Sequence, residues 1–392
     1  MSEEYRRDGA VNVLALGVKN DGSEDVSEIV NRYTKESALY FPAGRYKVSR
    51  PLVIYNPIYG DGYARGPQAD DTHTWLISEI QHDETDPLKE TGVVCFGGSG
   101  RFTVEDLNIR CCSHECGIYI SPCVQATATF VNKVGIYNMR GYGLLATRGS
   151  DNPGFSSRPL FLQNMTIFGT ADYPYPCVGI QLDGGIGDNR FANIEIMGTR
   201  IGVVQEASFV YATNMHIWTG CLGQKDDDHW WETTRSIVLG NGDANFLGDN
   251  IYVDTSYVLI EFRSPRNMLS INNFMSWEDG SIRGCTKRNA KLFGIPEGMP
   301  DTRTSTSQTG SSSSAATTIT PAGSATSPHR PQTLASKMSA SSAITNRMPT
   351  RGDAIPSSAA ILPPMPGSLC LPMKISTSAL PPSSPKRTVP AS

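Results

Sequence analysis

Between residues 226 and 232 the chain reads Asp226-Asp227-Asp228-His229-Trp230-Trp231-Glu232, setting proton-transfer groups beside flat aromatic surface. Asp228 and Glu232 are candidates for acid and base, because a carboxyl pair can donate and accept a proton across a glycosidic bond. His229 titrates near neutral pH and can share that transfer. Trp230 and Trp231 offer broad apolar faces that suit the C–H faces of sugar rings. The same carboxylates could hold Ca²⁺ against an anionic sugar. An acidic run with two Trp equally suits a solvated loop whose rings pack down onto the body, so both readings stand.

A second constellation is Asp183-Gly184-Gly185-Ile186-Gly187-Asp188, where the glycines allow a tight loop that could turn the Asp183 and Asp188 carboxyls toward each other. Asp beside Gly also makes turn hydrogen bonds, which is its commoner use. Trp218, Tyr173 and Tyr175 are further candidates for sugar platforms, with Trp218 suited to the core as well. Arg200 could pair with a uronate or act as a base in a lyase. The segment Cys111-Cys112-Ser113-His114-Glu115-Cys116 fits no common zinc spacing and reads better as small apolar residues at a turn, so no metal site is expected.

These candidates need a scaffold, and from about 102 to 280 one short unit keeps returning: polar, apolar, any residue, then usually apolar. It appears as Asp106-Leu107-Asn108-Ile109, Lys133-Val134-Gly135-Ile136, Asn164-Met165-Thr166-Ile167, Asn193-Ile194-Glu195-Ile196, Asn214-Met215-His216-Ile217, Asn250-Ile251-Tyr252-Val253 and Asn273-Phe274-Met275-Ser276. Each follows another alternating stretch, such as Phe102-Thr103-Val104. Most precede a second short strand, often opened by Gly, as in Gly117-Ile118-Tyr119-Ile120 and Gly179-Ile180-Gln181-Leu182. Alternation marks strands. No long amphipathic helix intervenes, which argues against a βαβ sheet. Strands recurring without helices suit a coil that stacks rung on rung, whereas a β-sandwich would bring strands every ~8–12 residues with hairpin signals.

The fold expected is therefore all-β, a right-handed single-stranded parallel β-helix. Its inward columns hold residues such as Ile109, Ile136, Ile167, Ile196 and Ile217. The polar residue opening each unit sits at a bend where the left-handed conformation is tolerated. A solenoid must cover its end. Asp25-Val26-Ser27-Glu28 is expected to form a capping box with Asp25 as the N-cap, starting a short helix that presents Val26, Ile29, Val30 and Tyr33 to the N-terminal mouth. Loops at one corner of successive rungs share an edge. After the first strands these are 171–175, 218–235, 254–257 and 277–279.

Two early segments carry a family resemblance. Asn12-Val13-Leu14-Ala15-Leu16-Gly17-Val18-Lys19-Asn20-Asp21-Gly22, followed by Asp25 and the helix, resembles the opening of the pectate-lyase-3 (glycoside hydrolase family 28-related) domain of the pectate lyase superfamily. Ala38-Leu39-Tyr40-Phe41-Pro42-Ala43-Gly44-Arg45-Tyr46-Lys47-Val48 resembles that family's next hallmark. The likeness extends over about residues 10–280. It implies a parallel β-helix and, among the family's members, polysaccharide hydrolases, lyases, epimerases and phage tailspikes. It does not name a reaction. The Asn-x-Asp, Asp-Asp and Gly-His-Gly elements of polygalacturonases are not found, and Asp226-Asp227-Asp228-His229 echoes them only superficially.

Composition bounds the rest. Of 38 acidic and 34 basic residues, two and eight fall after residue 300, leaving 36 and 26 and a net charge of −10 on the first 300 residues. An acidic body points away from nucleic acid as partner. No apolar run is long enough to span a membrane. The N-terminal sequence MSEEYRRDGAVNVLALGV has no signal-peptide core, so the chain is expected to be cytoplasmic as translated, or released by another route such as phage lysis. After Phe293 there is no Phe, Tyr or Trp. Residues 1–292 are therefore expected to form the β-helix domain and 293–392 a disordered Ser/Thr/Pro/Ala-rich tail, either a natural linker or an out-of-frame translation.

The function expected is cleavage of a polysaccharide, neutral or anionic, by a hydrolase or lyase along a groove on the coil. No cofactor is expected, apart from Ca²⁺ if the enzyme is a lyase. The alternative is a tailspike-like glycan-binding protein with little or no catalysis, assembling as a homotrimer.

Overall fold

The computed structural model describes residues 9–81, 91–112, 115–121, 125–147, 159–170, 176–183, 187–206, 209–219, 232–277, 291–295, 302–308 and 315–321. The chain divides into two units, Met1–Ser327 and Pro328–Ser392, and every described residue belongs to the first. That unit is a parallel β-helix. Among the described residues one sheet has fifteen strands and the other nine, and from Ser99 to Trp277 the neighbours in the larger sheet are successive turns of the coil.

Each central rung contributes one long strand and one short one. The long strands are Ser99–Arg110, Gln125–Met139, Leu160–Gly169, Asn189–Met197, Phe209–Trp218, Asn245–Asp254 and Met268–Trp277. The short strands run from Leu52–Ile54 to Lys291–Gly294. All of these pair in parallel. The strands Thr302–Gln308 and Ala315–Pro321, within the stretch read as a tail, pair antiparallel with each other, and the second lies antiparallel against Met268–Trp277.

The long strand bends where the sequence placed its polar residue. Asp106, Lys133, Asn164, Asn193, Asn214, Asn250 and Asn273 all have φ between 52° and 57°. Asn tolerates this conformation better than other residues with a Cβ. Stacking the bends makes a ladder of side-chain amides. Asn164, Asn193, Asn214, Asn250 and Asn273 each donate through Nδ2 to the Oδ1 of the asparagine one rung below, at 2.9–3.1 Å, starting from Asn132. Asn132 itself donates to Glu105 at 2.8 Å.

Inside, Ile109, Ile136, Ile167, Ile196 and Ile217 pair in register, and all are 0% exposed. Each such side chain contributes roughly 1.5–3 kcal/mol of burial. The column touches the short-strand sheet at its glycines. A Cβ on Gly202 would lie 2.4 Å from Ile217 Cγ2 and 2.5 Å from the Ser236 carbonyl oxygen, so a side chain there meets packed atoms.

At the N-terminal end the helix Ser27–Tyr33 buries Val26 and Val30 and packs Ile29 and Tyr33 on the core, as the sequence pattern implies. The capping box does not form. The helix begins one residue later than expected, with Val26 at the N-cap making no side-chain bond. The Asp25 carboxylate accepts from the backbone N–H and Oγ of Ser27 and from both of the same groups of Ser49. It thereby ties the helix to the first rung instead of closing a reciprocal cap, and those bonds lower its pKa to about 2 against the cost of burial.

Candidate functional site

The half of each long strand that follows the bend alternates inward and outward, so every rung adds two outward residues to one face. The first outward column reads Gly135, Thr166, Glu195, His216, Tyr252 and Met275. The second reads Arg110, Tyr137, Phe168, Met197, Trp218, Asp254 and Trp277. Rung spacing is about 4.8 Å, so neighbours in a column are within reach of long side chains.

The first rungs of this face are roofed. The Asn108 side chain, fully buried, accepts from the Ala64 N–H at 2.8 Å and donates to the Thr74 carbonyl at 3.0 Å. Tyr137 donates its hydroxyl to the Ala64 carbonyl. These bonds pin residues 61–74 over Gly135 and Tyr137 and deliver Arg65 to the edge of the open face. There its guanidinium donates to Glu195 Oε2 at 3.1 Å. Beyond Arg65 no described segment roofs the face, and Met275 and Trp277 at its far end are 59% and 63% exposed.

At the centre His216 lies between two carboxylates from the neighbouring rungs. Its Nδ1 is 3.5 Å from Glu195 Oε1, and its Nε2 is 3.0 Å from Asp254 Oδ2. Tyr252 stacks on the imidazole, with centroids 4.7 Å apart and planes 16° apart. Glu195 is the main reason that the His216 pKa is raised above its ordinary value, with Asp254 adding to it and burial opposing. Reciprocally, His216 first and Arg65 after it lower the Glu195 pKa. Burial and the Asp254 carboxylate push the Tyr252 hydroxyl up to about 12. The other Asp254 oxygen, Oδ1, is buried and has no hydrogen-bond partner among the described residues. An orphan acceptor of this kind is costly unless a donor reaches it.

Such an arrangement can hold a proton on His216, pass it to or from a bound group, and accept a hydroxyl at Asp254 Oδ1. The half-buried Phe168 and Trp218 lie in the same column and offer aromatic surface.

The sequence-based candidates distribute unevenly. Asp228, His229, Trp230, Trp231, Tyr173 and Tyr175 lie outside the described residues. Glu232 is exposed, and its carbonyl accepts from Arg235 Nη1 at 2.6 Å. Asp183 accepts from Gln181 Nε2 at 2.8 Å, while exposed Asp188 sits at φ 57° just before Asn189–Met197. Arg200 is half-buried and its backbone bridges rungs, donating to Cys177 and accepting from Arg235. Trp218 stands on the His216 face. Of the crowded cysteines, Cys111 and Cys116 are buried and Cys112 is exposed, all with free thiols. No group of three metal-ligating side chains converges among the described residues.

Glu195, His216, Tyr252 and Arg65 were not singled out from sequence. Their signal was there: the third position of the repeating unit reads Thr166, Glu195, His216, Tyr252 and Met275 in successive rungs. Polar and titratable residues at consecutive outward positions form a column once the register is known.

No family model and no curated protein matches the chain. Among solved structures it is similar to ORF18 of Geobacillus virus E2, at 13% identity over 69% of this chain and 62% of that one, with a TM-score of 0.31. It is similar to the A-module of the Azotobacter vinelandii mannuronan C-5 epimerase AlgE6, at 13% identity over 65% and 69%, TM-score 0.33. It is similar also to Pantoea stewartii WceF, described as a glycan biofilm modifying enzyme with a tailspike-like parallel β-helix fold, at 12% identity over 76% and 43%, TM-score 0.33. The chain thus spans less than two thirds of the length of the first and third of these proteins.

Proposed function

We propose that the protein acts on a polysaccharide laid along the outward face that carries Glu195, His216 and Asp254. The observation that supports this reading best is His216 held between two carboxylates, in the middle of an open face with Trp218 and Trp277 in one column. A chain of sugar rings is the ligand whose length and alternating apolar and hydroxyl-bearing surface match such a face.

His216 is the proton-transfer group in this reading. Protonated, it donates to the glycosidic oxygen of the leaving sugar. Deprotonated, it removes a proton from the ring carbon beside a uronate carboxyl, while Arg65, paired with Glu195 of the next rung, supplies positive charge on the same face. The first path is completed by a carboxylate acting on water, as in a hydrolase. The second is a β-elimination, as in a lyase. The sequence resemblance to the pectate lyase superfamily is compatible with either. Asp228 and Glu232 remain acid and base candidates from the sequence.

Incubation with a panel of neutral and uronate-containing polysaccharides tests the proposal. New reducing ends without ultraviolet absorbance identify a hydrolase, and absorbance from an unsaturated uronate identifies a lyase. His216→Gln should lower either activity by two or more orders of magnitude, roughly the value of a positioned acid–base group. Unchanged activity in that variant overturns the assignment. Binding without any product favours the non-catalytic reading, in which His216 is an ion-pair centre with both ring nitrogens engaged.

A further inference from the structure

A cavity of about 360 Å³ opens near the roofed end of the same face, lined by Ser78, Arg110, Cys112, Asn138, Arg140 and Thr170 among others. Arg110 is the first member of the column that continues through Tyr137, Phe168, Met197 and Trp218, so the cavity and His216 belong to one surface, Arg110 standing four rungs or about 19 Å from His216. The backbone there is shaped. Asn138 adopts φ 57°, and the pairing register shifts between Tyr137 and Met139, a bulge that re-aims the side chains beside it.

Among the described residues the lining has two guanidinium groups, hydroxyls and an amide, and no carboxylate. Beside the lining residue Cys112, the fully buried Glu115 accepts the Cys112 N–H at Oε1, at 2.7 Å. The Arg110 side chain makes no ion pair or hydrogen bond with any described residue, and Arg110 is half-exposed in the cavity lining. On a chain whose first 300 residues carry a net charge of −10, the Arg110 guanidinium facing this cavity selects for a bound anion.

We infer that this cavity is an anion subsite that takes the carboxylate of a uronate, or a sulfate ester, carried by a sugar several residues away from the one at His216. The inference rests on the polysaccharide reading for the identity of the anion, but it makes a prediction independent of turnover. Cys112, an exposed thiol in the cavity wall, is a local reporter.

Alkylation of the full chain by iodoacetamide, followed by peptide mapping, gives the rate at Cys112 itself. Sodium glucuronate and sodium sulfate are the two anionic probes, and glucose is the neutral control. Glucuronate, sulfate or both should slow the reaction at Cys112 at least threefold in the wild type, while glucose should not. Glucuronate acting alone assigns a uronate subsite, and sulfate acting alone a sulfate-ester subsite. Arg110→Gln should abolish the protection, Arg110→Lys should retain part of it, and His216→Gln should leave it whole. Failure of both anions to protect the wild type overturns the subsite, as does undiminished protection in a folded Arg110→Gln protein. Protection of Cys112 in a protein that turns over no polysaccharide keeps the subsite and removes the functional reading. Turnover at His216 without protection does the reverse.

Discussion

Replacing Asn193 with Ala and, separately, with Gly divides the asparagine ladder into its two physical parts. Asn193 donates to Asn164 at 2.9 Å and accepts from Asn214 at 3.0 Å, while its own backbone sits at φ 56°. Both variants lose two amide hydrogen bonds. The ladder is solvent-exposed, so each bond is worth about 0.5 kcal/mol, the low end of the usual range, and the pair about 1 kcal/mol. Ala must in addition hold a left-handed backbone that disfavours its Cβ, at a cost of about 1 kcal/mol, whereas Gly adopts it freely. Asn193→Gly should therefore destabilise by about 1 kcal/mol and Asn193→Ala by about 2 kcal/mol. The assay is urea unfolding followed by circular dichroism, compared by midpoint at constant slope. A further check comes from Asn214→Gly: because the two residues share a bond, the double glycine variant should lose about 0.5 kcal/mol less than the sum of the singles. Ala as stable as Gly would refute the backbone part of the reasoning, and strict additivity would refute the ladder.

Three other outcomes are expected. Gly202→Ala places a Cβ 2.4 Å from Ile217 and should cost about 1–3 kcal/mol by overpacking, read as a lower thermal midpoint; an unchanged midpoint would mean that the two sheets are not in that contact. The imidazole of His216 should titrate above the ordinary value of 6.5 by NMR, and Glu195→Gln should bring it down. The raised pKa means that its contribution to stability is complete below 6.5 and is lost as pH rises through the folded value, so Glu195→Gln should flatten stability in that upper window. Asp25 works in the opposite sense. Held at about 2 against an ordinary 3.8, its carboxylate stabilises the fold above 3.8 and loses that effect as pH falls toward 2, and Asp25→Asn should remove this acid sensitivity, which urea midpoints between pH 2 and 5 would show.

The coil itself was legible because its signals are local. A polar residue able to take φ near 55° opens each unit, and apolar residues at alternate positions follow it, so Ile109 to Ile217 could be aligned without coordinates. The helix over the N-terminal mouth was legible for the same reason, its apolar face being written in Val26, Ile29, Val30 and Tyr33. Its cap was not, because Asp25 shares its carboxylate between Ser27 at the helix start and Ser49, 24 residues on. The site was the hardest part to read. Glu195, His216 and Asp254 lie in three different rungs, and the insertions between rungs vary, so their convergence depends on a register that the spacing alone does not give. Arg65 is more remote still. It reaches Glu195 only because Asn108 and Tyr137 fasten the segment that carries it. The Asp- and Trp-rich stretch at 226–232 concentrates its signal in seven consecutive residues, whereas the outward strand positions supply single residues far apart in the chain.

The central claim is that a sugar chain lies on the face of Glu195, His216 and Asp254. A crystal structure of the His216→Gln protein soaked with an oligosaccharide from whichever polysaccharide the product screen selects addresses it directly. Sugar rings should run along the column from Phe168 through Trp218 to Trp277, with a hydroxyl donating to Asp254 Oδ1. An oligosaccharide seated on the short-strand sheet instead, with the His216 face bare, would contradict it.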